Sequence, residues 1–221
     1  MNDIKTLVVL SGGIDSTVLT YDYINAGRDV YAISFDYGQR HNKELECAAI
    51  TCEKLGIPQK IVDITEIKDI MYSSALTGNG TVPEGHYEDA SMKSTVVANR
   101  NSILINLAMA YAITQDINRV AYAAHGGDHA IYPDCRPEFV LALKALAAKV
   151  HYTPIYIEAP YLMWRKEDIV KRGIELKVPF IDTWSCYKGD KLHCGKCGTC
   201  VERLEAFKLN NIKDPVKYAK K

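Results

Sequence analysis

Leu7-Val8-Val9-Leu10-Ser11-Gly12-Gly13-Ile14-Asp15-Ser16-Thr17 is the stretch from which the rest of the chain is read. An apolar run forms a buried strand, a two-glycine turn follows at once, and the turn opens a helix. Gly12 and Gly13 have no Cβ, so backbone N–H groups can close around an anion there. The helix points its positive end at the same spot. Ser11, Ser16 and Thr17 add hydroxyl donors. Asp15 would repel a bare phosphate and instead suits a cation bound to one. The plain alternative is a tight turn with Asp15 or Ser16 as helix cap. The full S-G-G-x-D-S string, in the first strand-to-helix unit of the chain, favours a phosphate loop.

Outward from this loop, short apolar runs alternate with helical patterns. Residues 6–10, 30–35, 60–64, 119–124 and 154–158 read as strands. Residues 16–26, 42–55, 99–115 and 136–149 read as helices, with Gly27 and Gly56 placed where two of them stop. This alternation predicts an α/β fold: a mostly parallel, doubly wound sheet with helices on both faces. Two regions depart from the pattern. Residues 66–95 make a connection long enough to be a lid or a partner-contact loop. Residues 177–221 are cysteine-rich, then helical, then lysine-rich. They read as a small C-terminal zinc-bound appendage on a catalytic domain spanning 1–176.

Composition narrows the function. The 221 residues carry 27 Lys and Arg against 27 Asp and Glu, so the formal net charge is zero. A large surface for gripping nucleic acid would show a basic excess, and a nucleic-acid partner is not expected. The N-terminal run lacks the basic flank of a signal peptide, and no stretch approaches bilayer-spanning length. A cytoplasmic location is expected, where thiols stay reduced. The seven cysteines therefore read as ligands, reactive groups or packing residues rather than as disulfides. Cys186, Cys194, Cys197 and Cys200 form C-x7-C-x2-C-x2-C, with Gly195 and Gly198 allowing tight turns. Four soft ligands suit tetrahedral zinc in a closed structural shell. An iron–sulfur cluster is the rival occupant. Cys47, Cys52 and Cys135 lack such spacing and read as packing residues.

Open α/β sheets bind ligands beyond the carboxyl ends of their strands, where the strand order reverses. Three such ends carry polar groups. The first is the phosphate loop with its flanks, Leu10 to Leu19, including Val18. The second strand ends in Phe35-Asp36-Tyr37-Gly38-Gln39-Arg40-His41, where backbone would recognise adenine and Tyr37, Gln39 and Arg40 would reach phosphates or substrate. The fourth ends in His125-Gly126-Gly127-Asp128-His129-Ala130-Ile131-Tyr132-Pro133-Asp134-Cys135-Arg136-Pro137. There Tyr132 would stack on a ring, Asp134 or Asp128 would accept ring N–H groups, and Arg136 would hold a carboxylate or phosphate. His125, Asp128 and His129 are candidate proton acceptors or metal ligands. Asn99-Arg100-Asn101 opens a helix. A cation at that positive end is unfavourable unless an anion meets it, so Arg100 reads as a phosphate or carboxylate contact, with Asn101 beside it.

The S-G-G-x-D-S loop resembles that of PP-loop ATPases, which cleave ATP between the α and β phosphates. Adding Phe35-Asp36-Tyr37-Gly38-Gln39-Arg40-His41, Arg100-Asn101, Tyr132-Pro133-Asp134-Cys135-Arg136-Pro137-Glu138-Phe139 and the four cysteines, in order along nearly the whole chain, the sequence resembles the 7-cyano-7-deazaguanine synthase family. Two segments differ from well-known members: Val97-Ala98-Asn99 stands where many carry a V-P-G type turn, and 125–129 differs from a G-V-x-x-x-D-F-S-G form. The resemblance implies ATP-dependent conversion of 7-carboxy-7-deazaguanine and ammonia to the nitrile, with magnesium beside ATP, structural zinc and a homodimer. A related enzyme stopping at the amide, and a tRNA-modifying PP-loop enzyme, are the alternatives. No covalent nucleophile is expected.

Overall fold

The computed structural model describes residues 4–39, 42–71, 74–77, 80–188 and 191–219. Its centre is a five-stranded sheet: β1 Lys5–Val9, β2 Asp29–Asp36, β3 Gln59–Asp63, β4 Arg119–Ala121 and β5 Tyr156–Glu158. All neighbouring pairs are parallel, in the order β3-β2-β1-β4-β5. Leu7 pairs with Tyr31 on one side and Val120 on the other. The chain thus winds outward from β1 to β3, then crosses back to β4 and β5, and the order reverses between β1 and β4.

Strand alternation decides which helix covers which face. Val8, Val30 and Ala121 face α1 (Ile14–Asn25), α5 (Lys166–Glu175) and α6 (Gly198–Leu209), while Leu10 and Ala32 on the same face meet α2 (Lys43–Leu55). Leu7, Ile33, Val120 and Ile157 face α3 (Arg100–Thr114) and α4 (Pro137–Ala147). Helices cover both faces, as the alternating pattern predicts.

The expected strands and helices fall within a few residues of those observed. β4 ends at Ala121 and is shorter than expected, although the Tyr122 N–H still reaches the Glu158 carbonyl at 3.0 Å. The sequence pattern does not announce the helix α5. Its interior Gly173 weakens the helical pattern, yet glycine is required there. A Cβ would lie 2.4 Å from the Phe180 ring and 2.8 Å from Val18, so only glycine lets α5 lie this close to α1. Asp168 helps to start α5 by accepting the Arg165 N–H at 2.9 Å.

The long connection after β3 is built into the molecule. It carries two short 3₁₀ turns, Thr65–Met71 and Ala90–Thr95, and buries Leu76, Val82, Tyr87 and Met92 in the core. The Gly85 N–H bonds to the Lys196 carbonyl at 3.0 Å, and Glu84 pairs with Cys197. The C-terminal residues join both layers: Cys186, Cys197 and Cys200 pack with one core cluster, and Val178, Phe180, Ala206 and Phe207 with the other.

Candidate active site

A cleft opens at the reversal of strand order, between the loops that follow β1 and β4. Its floor is the turn Ser11–Gly13. Gly12 has φ +87°, and a Cβ there would fall 2.0 Å from the Glu44 carbonyl oxygen, so any other residue would force α2 away. The Trp184 N–H holds the Gly12 carbonyl at 3.0 Å. Ser16 Oγ accepts the Ser11 N–H at 3.1 Å and shares a hydrogen bond with Ser11 Oγ at 3.0 Å. Helix α1 starts at Gly13 without a side-chain cap, so its first-turn N–H groups are left for an acceptor in the cleft. An anion fits this end of the helix on both hydrogen-bonding and dipole grounds. Thr17, Val18 and Leu19 face the core instead, at 1 % exposure or less.

Above the turn lies a chain of charged groups. Lys166, at the start of α5, donates to both Asp15 carboxylate oxygens at 2.8 and 2.7 Å and lies 3.3 Å from Glu202. His125 Nε2 stands 3.8 Å from Asp15 and 3.5 Å from Asp128, and Asp128 accepts the Tyr87 hydroxyl at 2.8 Å. Burial alone would raise the Asp15 carboxyl, but Lys166 and then His125 outweigh it and hold it below the ordinary carboxylate value. Glu202 is placed less favourably: burial raises it, and the more distant Lys166 does not compensate. Burial alone would lower the Lys166 ammonium, but Asp15, then Glu202 and Asp128, outweigh it and raise it, so it stays charged.

The opposite wall carries Phe35, Tyr37, Gln39, Glu44, Arg100, Asn101, Tyr132 and Tyr187. Arg100 sits 5.9 Å from the Tyr37 ring centre. Tyr132 shares hydrogen bonds with Thr95 Oγ1 at 2.7 Å and the Tyr187 hydroxyl at 3.1 Å. Gln39 accepts the Tyr37 N–H through its side chain at 2.9 Å. Arg40 and His41 lie outside the described residues.

The sequence-derived candidates are therefore brought together only in part. Leu10, Ser11, Gly13, Ile14, Asp15, Ser16, Phe35, Tyr37, Gln39, Arg100, Asn101, His125, Asp128 and Tyr132 line the cleft; Asp134, Arg136 and His129 do not. Asp134 accepts the Asn101 N–H at 3.0 Å and so caps the start of α3, and Arg136 Nε donates to the His129 carbonyl at 2.9 Å. His129 Nε2 is buried without a partner among the described residues. Lys166, Glu202, Tyr87, Tyr187 and Glu44 line the cleft without having been singled out in the sequence. One signal existed for Lys166: like Arg100, it is a cation at a helix start, where only an anion makes it favourable.

Beside the cleft, the sulfurs of Cys186, Cys194, Cys197 and Cys200 all lie within 4.8 Å of one another, with Cys194 and Cys200 at 3.9 Å. Four ligands at a Zn–S distance of about 2.3 Å stand about 3.8 Å apart, so a tetrahedral ion fits. Backbone N–H groups of Cys194, Lys196 and Cys197 point at Cys186 and Cys194 sulfurs at 3.3–3.4 Å, which favours thiolates. Cys197 also caps α6, so the positive end of that helix adds to the effect. Cys47 and Cys52 are pushed up to about 11 by burial and stay thiols.

Residues 5–211 match the family described as Queuosine biosynthesis protein QueC. Proteins named 7-cyano-7-deazaguanine synthase from Marinomonas sp. (strain MWYL1) and Caldicellulosiruptor bescii are 51 % and 52 % identical over 97 % of this chain, covering 98 % and 97 % of their own lengths. Among solved structures, the NH3-dependent NAD synthetase from Campylobacter jejuni superposes with a TM-score of 0.51 at 19 % identity, over 96 % of this chain and 77 % of that one. The U34-tRNA thiolase NcsA from Methanococcus maripaludis gives 0.52 at 18 %, over 96 % and 66 %. At that identity the two solved structures establish the shared fold alone. The cleft at the sheet's reversal, the cysteine cluster and the near full-length match together place this chain in the QueC family of queuosine biosynthesis proteins.

Proposed function

We propose that the protein is an ATP-dependent 7-cyano-7-deazaguanine synthase, which converts 7-carboxy-7-deazaguanine and ammonia to the 7-nitrile. One observation carries the reading: proteins named for this activity are about half identical to the chain over nearly all of both lengths. The cleft supports it chemically. ATP would lie over Ser11–Ser16 with adenine toward Phe35 and Tyr37, and the substrate carboxylate would attack the α-phosphate. The helix end, Lys166 and Arg100 would stabilise the charge developing on the phosphates. Ammonia would then displace AMP to give the amide. The amide oxygen is a poor leaving group, so a second adenylation precedes elimination to the nitrile.

Asp15, with Glu202 nearby, offers hard oxygen ligands for magnesium, which when bound would neutralise phosphate charge. The four cysteines would hold zinc in a closed shell and fix residues 177–219 against the cleft. We further propose a cytoplasmic homodimer. The deciding experiment is mass spectrometry of the product made from the 7-carboxy base, ATP and ammonium, with ATP consumption measured alongside. Nitrile at two ATP per product, with the synthetic amide accepted as substrate, is expected. An amide end-product at one ATP, with added amide left unconverted, would refute nitrile synthesis. Metal analysis should find zinc; iron with labile sulfide would refute the zinc assignment.

A further inference from the structure

The amine step needs a proton acceptor, and the residues that suggest themselves are committed elsewhere. His125 accepts the Gly127 N–H at Nδ1 (3.1 Å), while its Nε2 faces the carboxylates of Asp15 and Asp128 and so carries the proton. It has no free lone pair. His129 lies outside the cleft. Asp15 and Glu202 share Lys166, and Asp128 holds Tyr87 and faces His125.

Glu44 is different. It lines the cleft from the first turn of α2, and among the described residues its carboxyl makes no hydrogen bond or ion pair. The turn that carries it is seated against the phosphate loop, because the Glu44 carbonyl occupies the space a Cβ on Gly12 would need. Its position relative to the reacting phosphates is thus set by backbone packing. Burial pushes its carboxyl up to about 7, and the Arg100 guanidinium on α3 opposes this without cancelling it. Among the described residues, the other titratable groups coupled to it are Tyr37, just past the end of β2, and Cys47 one turn further along α2. Burial raises both, so they stay neutral in this range. Near neutrality Glu44 can both accept and release a proton, which is the property a general base requires.

We propose that Glu44 is the proton acceptor of the amine step. The proposal rests on the adenylation reading above. The nitrogen lone pair of ammonia forms the C–N bond, and the acyl C–O bond breaks with its electron pair passing to the phosphate oxygen of departing AMP. One N–H proton passes to the Glu44 carboxylate, which returns it to water before the next cycle.

The test compares wild type, Glu44→Gln and Glu44→Asp as full-length, metal-loaded protein, with two rates measured on each. Acid-dependent exchange of labelled pyrophosphate into ATP reports adenylation. Ammonia-dependent product formation, expressed per concentration of free ammonia, reports the amine step. Glu44→Gln should keep exchange within about threefold of wild type, which also establishes that it is folded. Its ammonia-dependent rate should fall about 10²- to 10³-fold. The limb of the wild-type profile that rises through about pH 7 should vanish with it. Glu44→Asp should recover part of the rate. Equal loss of both rates, an unchanged ammonia rate, or persistence of the limb in Glu44→Gln would overturn the assignment. Absence of acid-dependent exchange in wild type would overturn the adenylation reading itself, and the assignment with it.

Discussion

Arg203, buried, and Lys166, partly buried, are both cations in the lining of the cleft, and the protein treats them in opposite ways. Arg203, 1 % exposed, donates to both oxygens of Asp214 at 2.7 and 3.0 Å, to Phe180 O and Thr183 Oγ1 at 3.0 and 2.9 Å, and to Ser185 Oγ at 3.2 Å. Its guanidinium fork is saturated, and one carboxylate balances its charge. Lys166 meets Asp15 and Glu202 directly, with Asp128 close behind. A single ammonium is set against several acids, and their cluster opens onto the cleft. A buried ion cluster that is balanced and fully hydrogen-bonded holds a fold in register; one with excess charge beside a cavity is arranged for ligands and protons.

Lys166→Met should give the largest effect. Turnover should fall about 10³-fold through lost charge stabilisation at the phosphates, while the protein stays folded. Steady-state kinetics beside calorimetry measures both, and near wild-type turnover would erase the distinction between the two clusters. Arg203→Met should behave conversely, destabilising the fold by about 3–5 kcal/mol because Asp214 is left buried and unpaired. Pairing it with Asp214→Leu should restore most of that stability in a denaturant titration. A double variant no more stable than the single one would contradict this account of Arg203.

Removing the metal should join the two behaviours, because α6 carries Cys200, Glu202 and Arg203 within a single turn. Cys194→Ser should lower metal content and reduce turnover about 10- to 100-fold, with a lower melting temperature. Unchanged turnover in metal-free protein would uncouple α6 from the cleft. The smallest effect concerns acid. Asp15 is held below its ordinary value of 3.8, so its stabilising contribution is present above that pH and is lost as the pH falls through the lowered folded value. Melting temperatures of wild type and Asp15→Asn should therefore converge as the pH drops below 3.8. Glu202, raised by burial, has the opposite sign and stabilises less as the pH rises.

The parts of this site that a sequence can disclose are those made locally. The Ser11–Ser16 turn is a backbone arrangement that two glycines and a following helix dictate within a few residues. The cysteine cluster needs only spacing and turns. Arg100 was legible because a helix start constrains the charge it tolerates. Lys166 and Asp15 are separated by 151 positions, and no periodicity announces a pair of that kind. Asp134 and Arg136 have the chemistry of ligand contacts, but their hydrogen bonds go to Asn101 and the His129 carbonyl. Residue type alone does not distinguish a group that binds a ligand from one that binds its own backbone. The helix α5 was hidden because the glycine that weakens its pattern is what its packing requires.

The segment between β3 and α3 has a consequence for how the protein is made. Tyr87 and Met92 rest on Gly198, and Glu84 pairs with Cys197, more than a hundred residues later in the chain. During synthesis this segment leaves the ribosome long before the residues it leans on exist. The sheet can assemble strand by strand as it emerges, but this wall of the cleft closes only after the cysteine loop has appeared and folded. The phosphate turn waits on the same event, because the N–H that holds the Gly12 carbonyl belongs to Trp184, just before the first of the four cysteines, and such long-range closure would be the slow step of maturation.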